Sequence, residues 1–213
     1  MLSWPPTLPS TRTLVITILV VVAVALAALG GWAWHDASQR RVAAAYAAVT
    51  SRAQAAETPE TPAEVRAAAI RDLEGLLTQY PSARTAPQTA YDLGNLRFAA
   101  KNYAGARAAY ELALQRGSPP MIAALAKSGI ARTWEAERDF AKAADAYGAL
   151  VKDLDPKSFA YEDALIDWAR ALELAGRKGE AVAAYQRVLK DVPNARRADD
   201  IRVRLAALGT ASR

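Results

Sequence analysis

The 213-residue chain contains no cysteine and one histidine, His35. The first absence excludes disulfides, thiolate metal sites, thiol nucleophiles and the acylated cysteine of a bacterial lipoprotein anchor. The second leaves little material for acid–base or metal chemistry. His35 stands beside Asp36, but adjacent residues do not face one another on a helix, so no His–Asp dyad follows. Proline and glycine are sparse within the long apolar-periodic stretches, and runs of Val, Ile and Thr are nearly absent after the first 25 or so residues. That profile excludes a β-rich body and points to an all-helical one. Long blocks of one charge are also missing. The formal charge of +5 is the small excess of 27 Lys and Arg over 22 Asp and Glu, dispersed as solvated helix faces carry it, with no basic block interleaved with aromatics for nucleic acid. The densest basic cluster, Arg196, Arg197, Arg202 and Arg204, is broken by Asp199 and Asp200, and i,i+4 spacing pairs Arg196 with Asp200 and Asp200 with Arg204.

What is present begins with one apolar run. Leu14 to Trp34, LVITILVVVAVALAALGGWAW, carries no charge and one hydroxyl, Thr17. As a helix it reaches about 31 Å, the thickness of a bilayer's hydrocarbon core. Arg12 lies at one edge, and Trp32, Trp34, His35 and Asp36 lie at the other, in the order of an interfacial aromatic belt passing into water. A cleaved signal peptide would have an apolar core of about 7 to 15 residues. The longer run here favours an uncleaved anchor. Orientation stays open, because Arg12 and the α-amine oppose Arg40, Arg41 and Arg52 across the run, and long domains translocate largely regardless of such charges.

After the apolar run the chain repeats itself. AYDLGNLRFAAKNYAGARAAYELAL, KSGIARTWEAERDFAKAADAYGALV and LIDWARALELAGRKGEAVAAYQRVL superpose. Each has a large apolar residue followed by a small one (Leu93–Gly94, Ile130–Ala131, Trp168–Ala169), an alanine twelve residues later (Ala106, Ala143, Ala181) and a tyrosine four beyond that (Tyr110, Tyr147, Tyr185). Pro119, Pro156 and Pro193 close the units, and the tyrosines are 37 and then 38 residues apart. The spacing has a packing rationale. Two short antiparallel helices approach closely only where one offers a small residue, a tyrosine four residues on lies on the same face, and proline ends the second helix. Upstream, residues 40–57 and 62–80 read as a degenerate hairpin broken by ETPETP and closed at Pro81, with Thr61 as a hydroxyl cap, Pro62 in the first turn and Glu64 three residues after the cap. Residues 195–208 read as a final helix, with Ile201, Leu205 and Leu208 on one stripe to cover the last apolar face.

These features resemble the tetratricopeptide repeat (TPR) family over residues 85–194, and the family's pattern implies a right-handed solenoid of helical hairpins. The expected organisation is a short tail at 1–13 and a transmembrane anchor at 14–34. A membrane-proximal helix and degenerate hairpin follow at 35–84, then three clean repeats at 85–194 and a capping helix and tail at 195–213. If that geometry holds, first-helix residues facing away from the small-residue contact line a groove, selecting Tyr91, Asn95, Phe98, Arg132, Glu135, Arg170 and Glu173. AGRKGE lacks the spacing and the Lys-Ser/Thr pair of a phosphate loop and reads as a hairpin turn. No catalytic, metal-ligating or cofactor-binding set emerges. The expectation is a scaffold for protein or peptide partners, with no small-molecule substrate and no nucleic acid.

From Leu14 to Leu208 the chain also resembles a narrower family, the bacterial inner-membrane TPR proteins that are ancillary subunits of the Sec translocon. The resemblance is carried by the anchor ending in GWAW, the following helix with Tyr46, the hairpin ending in YPSAR, and the repeat starts AYDLGNLRFA and ALIDWARALELAG. It implies a periplasmic TPR domain, association with the translocon and with a membrane-anchored prolyl isomerase, and a chaperone-like role toward exported proteins. The first 13 residues, MLSWPPTLPSTRT, are less charged than that family's cytosolic stretch. Two alternatives remain: a periplasmic TPR adaptor for envelope assembly or cell division, and a cytoplasm-facing membrane adaptor.

Overall fold

The computed structural model describes residues 11–58 and 60–209, and most of the expected 1–13 tail, like the last four residues, lies outside them. Among the described residues every regular element is α-helical: α1 (Thr11–Ala55), α2 (Ala63–Gln79), α3 (Ala86–Ala99), α4 (Tyr103–Gln115), α5 (Pro120–Ala136), α6 (Phe140–Asp153), α7 (Tyr161–Leu174), α8 (Lys178–Asp191) and α9 (Ala198–Ala207). The chain divides into two compact units, 1–44 and 45–213.

In the first unit, α1 is long and apolar enough to cross a membrane from Leu14 onward, and the most apolar window of that stretch has no buried residue. Leu19, Val24, Leu26, Leu29, Trp32 and Trp34 are all exposed. Arg40 pairs with Asp36 one turn earlier at 2.8 Å. The side chain of His35 lies outside the described residues.

In the second unit, each helix from α2 onward packs on the next, and α3 also packs on α5. Ala106, Ala143 and Ala181 retain no exposed surface, and Tyr110, Tyr147 and Tyr185 are buried with them. Tyr110 shows how tightly the hairpins close. A Cβ built on Gly94 in α3 would stand 2.4 Å from its ring, and one on Gly129 in α5 would stand 2.6 Å away. Only glycine lets a full ring lie between those two backbones.

The turns inside the hairpins repeat as well. Lys101, Arg138 and Gly176 hold the same place in successive repeats, and all three are left-handed, at φ 59°, 63° and 75°. In the first two, the next residue caps the second helix: Asn102 Oδ1 accepts from the Gly105 amide at 3.0 Å, and Asp139 Oδ1 accepts from the Lys142 amide at 3.2 Å. In the third, Arg177 cannot cap, and its guanidinium instead joins Glu180 and Asp145, each at 2.7 Å.

Three local expectations change. Thr61 does not cap α2, which starts from Pro62 without a side-chain cap; its hydroxyl bonds Thr58 and the Ala55 carbonyl. The turn is tied by Arg66, buried and donating to the carbonyls of Ala56 at 3.2 Å and Thr58 at 2.8 Å. The last helix begins at Ala198, so Arg196 precedes it and does not pair with Asp200, while Arg204, within the helix, pairs with Glu173 instead of Asp200. Arg196 and Arg197 reach back to Asp163, and Arg202 pairs with Asp199.

Candidate functional site

The face of interest is built by the first helices of the repeats, α3, α5 and α7. Phe98 on α3, Arg132, Glu135 and Ala136 on α5, Tyr147 on α6, and Asp167 and Arg170 on α7 line one concavity of about 540 Å³. Four of the seven residues nominated from the sequence therefore meet there. A neighbouring concavity of about 360 Å³ shares Arg170 and continues along Ile166, Tyr185, Val203 and Arg204.

The other three nominated residues lie along the same helices. Tyr91 is half-buried against Tyr110, with ring centres 5.8 Å apart. Asn95 accepts from the Tyr110 hydroxyl at 2.9 Å and donates to Glu57 Oε1 at 3.4 Å. Glu173 accepts from the Tyr185 hydroxyl at 2.9 Å and pairs with Arg204 at 3.1 Å.

Superposing the repeats on their tyrosines shows a device that sequence reasoning missed. The tyrosine hydroxyl donates to a polar side chain of its own first helix: Tyr147 to Glu135 Oε2 at 3.4 Å and Tyr185 to Glu173. In the first repeat Phe98 occupies the place of those glutamates and has no acceptor, so Tyr110 turns to Asn95, one helical turn earlier. Burial pushes the phenols of Tyr110 and Tyr147 up, and that of Tyr185 up to about 12. All three therefore remain donors at neutral pH.

A second device links each repeat to the next. Arg170 of the third repeat meets Glu135 of the second through both guanidinium nitrogens, Nη2 lying 3.1 Å from Oε2, and also bonds Asp167 at 3.1 Å. Arg204 of α9 meets Glu173 of the third repeat through Nη1 alone, at 3.1 Å. Arg132 of the second repeat lies over the ring of Phe98, 5.1 Å from its centre, where the first repeat has no acid to offer. Asn95 and Glu57 form the corresponding contact with the preceding hairpin. The groove is thus a ladder of cross-repeat contacts, arginine on acid twice and arginine on aromatic once.

Near the start of that ladder lies a buried carboxylate. Asp92 is 3% exposed; its Oδ1 accepts from Gln88 at 2.7 Å, and among the described residues its Oδ2 has no partner. Burial, opposed by the Gln88 bond and reinforced by Glu57, pushes its pKa up to about 6. Glu57 is itself raised by burial, against the bond from Asn95. Residue type alone gave Asp92 no special place, although it sits one helical turn before Asn95.

A family profile described as a tetratricopeptide repeat-like domain matches residues 10–210, nearly the whole chain. The chain belongs to the tetratricopeptide repeat-like family. No curated protein matches it. The match spans α1 to α9. TPR-like domains are protein–protein interaction scaffolds, and this one presents on α3, α5 and α7 a groove of mixed aromatic and charged character.

Proposed function

We propose that this TPR-like protein is an anchored scaffold that holds a polypeptide segment along the face of α3, α5 and α7 without catalysing a reaction. One observation supports this above the rest: nominated groove residues from three successive first helices line a single concavity. Repetition gives such a face length, and length suits an extended chain. The apolar stretch of α1 provides the anchor, with the TPR-like domain in the periplasm of a bacterial inner membrane. Following the resemblance to ancillary Sec translocon subunits, the segment belongs to newly exported proteins or to partners at the translocon, including a membrane-anchored prolyl isomerase. Anchoring raises the local concentration of emerging chains, so modest affinity suffices.

Photo-crosslinking tests this in cells. A photoreactive residue at Ala136, exposed and within the groove, should yield adducts with translocon subunits or exported chains. The same residue at Glu111, exposed on α4 outside the groove, should not. Adducts from Glu111 alone would move recognition to the opposite face.

A further inference from the structure

The ladder of the groove has one irregular rung. At the place where the second and third repeats carry Glu135 and Glu173, the first carries Phe98. The cation opposite is retained in all three cases, as Arg170, Arg204 and Arg132. Arg170 and Arg204 are each held by a carboxylate. Among the described residues Arg132 is held by none; it is exposed and rests on the Phe98 ring. That ring is fixed from another side by Tyr103, edge-on with centres 5.4 Å apart. The two acids of the concavity, Glu135 and Asp167, are gathered on Arg170. Its charge is therefore polarised: acids engaged at the α7 end, an uncommitted cation at the α3 end.

We infer that Arg132 and Phe98 form an acceptor site for an acidic side chain of the bound polypeptide, which supplies from outside the carboxylate that the first repeat lacks. A guanidinium on an aromatic face keeps its in-plane N–H groups free, and these suit a bidentate carboxylate. The Phe98 ring offers an apolar wall for the methylenes of a glutamate. The occupant is an internal residue of an extended segment rather than a chain terminus, because the groove runs on past Arg170 into the neighbouring concavity along Ile166 and Val203. The assignment rests on the groove reading proposed above.

The test uses the full-length protein in detergent and three fluorescent peptides of one extended Ser/Ala/Leu sequence. One carries a central Glu and an amidated C-terminus; one carries Gln and a free C-terminal carboxylate; one carries Gln and an amide. The Glu peptide should bind about tenfold more tightly than the Gln amide, the scale of one charge-assisted contact, and lose that advantage in 0.5 M salt. Arg132→Gln, an exposed substitution, should erase the difference. Phe98→Glu restores the missing rung from within and should do the same. If Phe98→Glu fails to fold by circular dichroism, Arg132→Gln decides. Equal binding of all three peptides, or a preference for the free terminus, overturns the inference. Equal binding combined with Ala136 adducts would sink the charge assignment while leaving the groove reading standing; the absence of Ala136 adducts would sink the groove reading itself.

Discussion

Asp92 is the residue whose environment is least reconciled with its chemistry. A carboxylate ordinarily titrates near 4, and burial raises this one to about 6. Because its folded pKa lies above its unfolded one, the folded state binds the additional proton between those two values. Stability is then greatest below the ordinary carboxylate pKa and falls as pH rises through the window up to about 6. Asp92→Asn removes the charge and keeps an amide that can present its oxygen to Gln88. The variant should gain up to about 3 kcal/mol over the wild type at pH 7.5 and little at pH 3.5. Denaturant melts at the two pH values check it, and an equal gain at both would show that charge is not the cause. That Phe98, Arg132, Glu135 and Arg170 share one concavity follows from their places on successive first helices, in phase with the tyrosines. Their partners were not legible in the sequence: Glu135 and Arg170 are 35 residues apart, and only helix packing shows that they meet.

At the scale of the element, the hairpin turns carry a measurable cost. Arg138 adopts a left-handed backbone in which its Cβ crowds the following carbonyl, whereas Gly176 does so freely. Arg138→Gly should therefore stabilise the domain by about 1 kcal/mol, since the Asp139 cap is untouched, and Gly176→Ala should destabilise it by a similar amount. Thermal melts with shifts of the same sign would contradict the assignment. Helix number and order in the repeats followed from the alanine–tyrosine phase, because that phase reports close approach. The turn conformation did not, since only the third repeat marks it with glycine. The cap of α2 misled for a different reason. Thr61, Pro62 and Glu64 have the composition of a helix start, but Arg66 ties the turn through two carbonyls and leaves the Thr61 hydroxyl to Thr58.

At the scale of the whole molecule, the proposed anchor and the repeat array make separate demands. The apolar stretch of α1 exposes its large side chains along its length, and a bilayer is the solvent that suits such a surface. The chain should remain in carbonate-washed membranes with its residues before Leu14 intact, and a C-terminal alkaline phosphatase fusion should be active, as a periplasmic domain requires. A mature protein starting near residue 30, or an inactive fusion, would overturn the anchor or the orientation respectively. The array ends differently from the way it runs. Arg204 of the short α9 gives Glu173 a partner, although it stands one helical turn before Leu208, the residue that holds the place of Arg132 and Arg170 in the repeat phase. Duplication or loss of one internal hairpin would leave both termini of the ladder chemically unchanged. Groove length is thereby a quantity that recombination can alter in single steps, without a new end having to evolve each time.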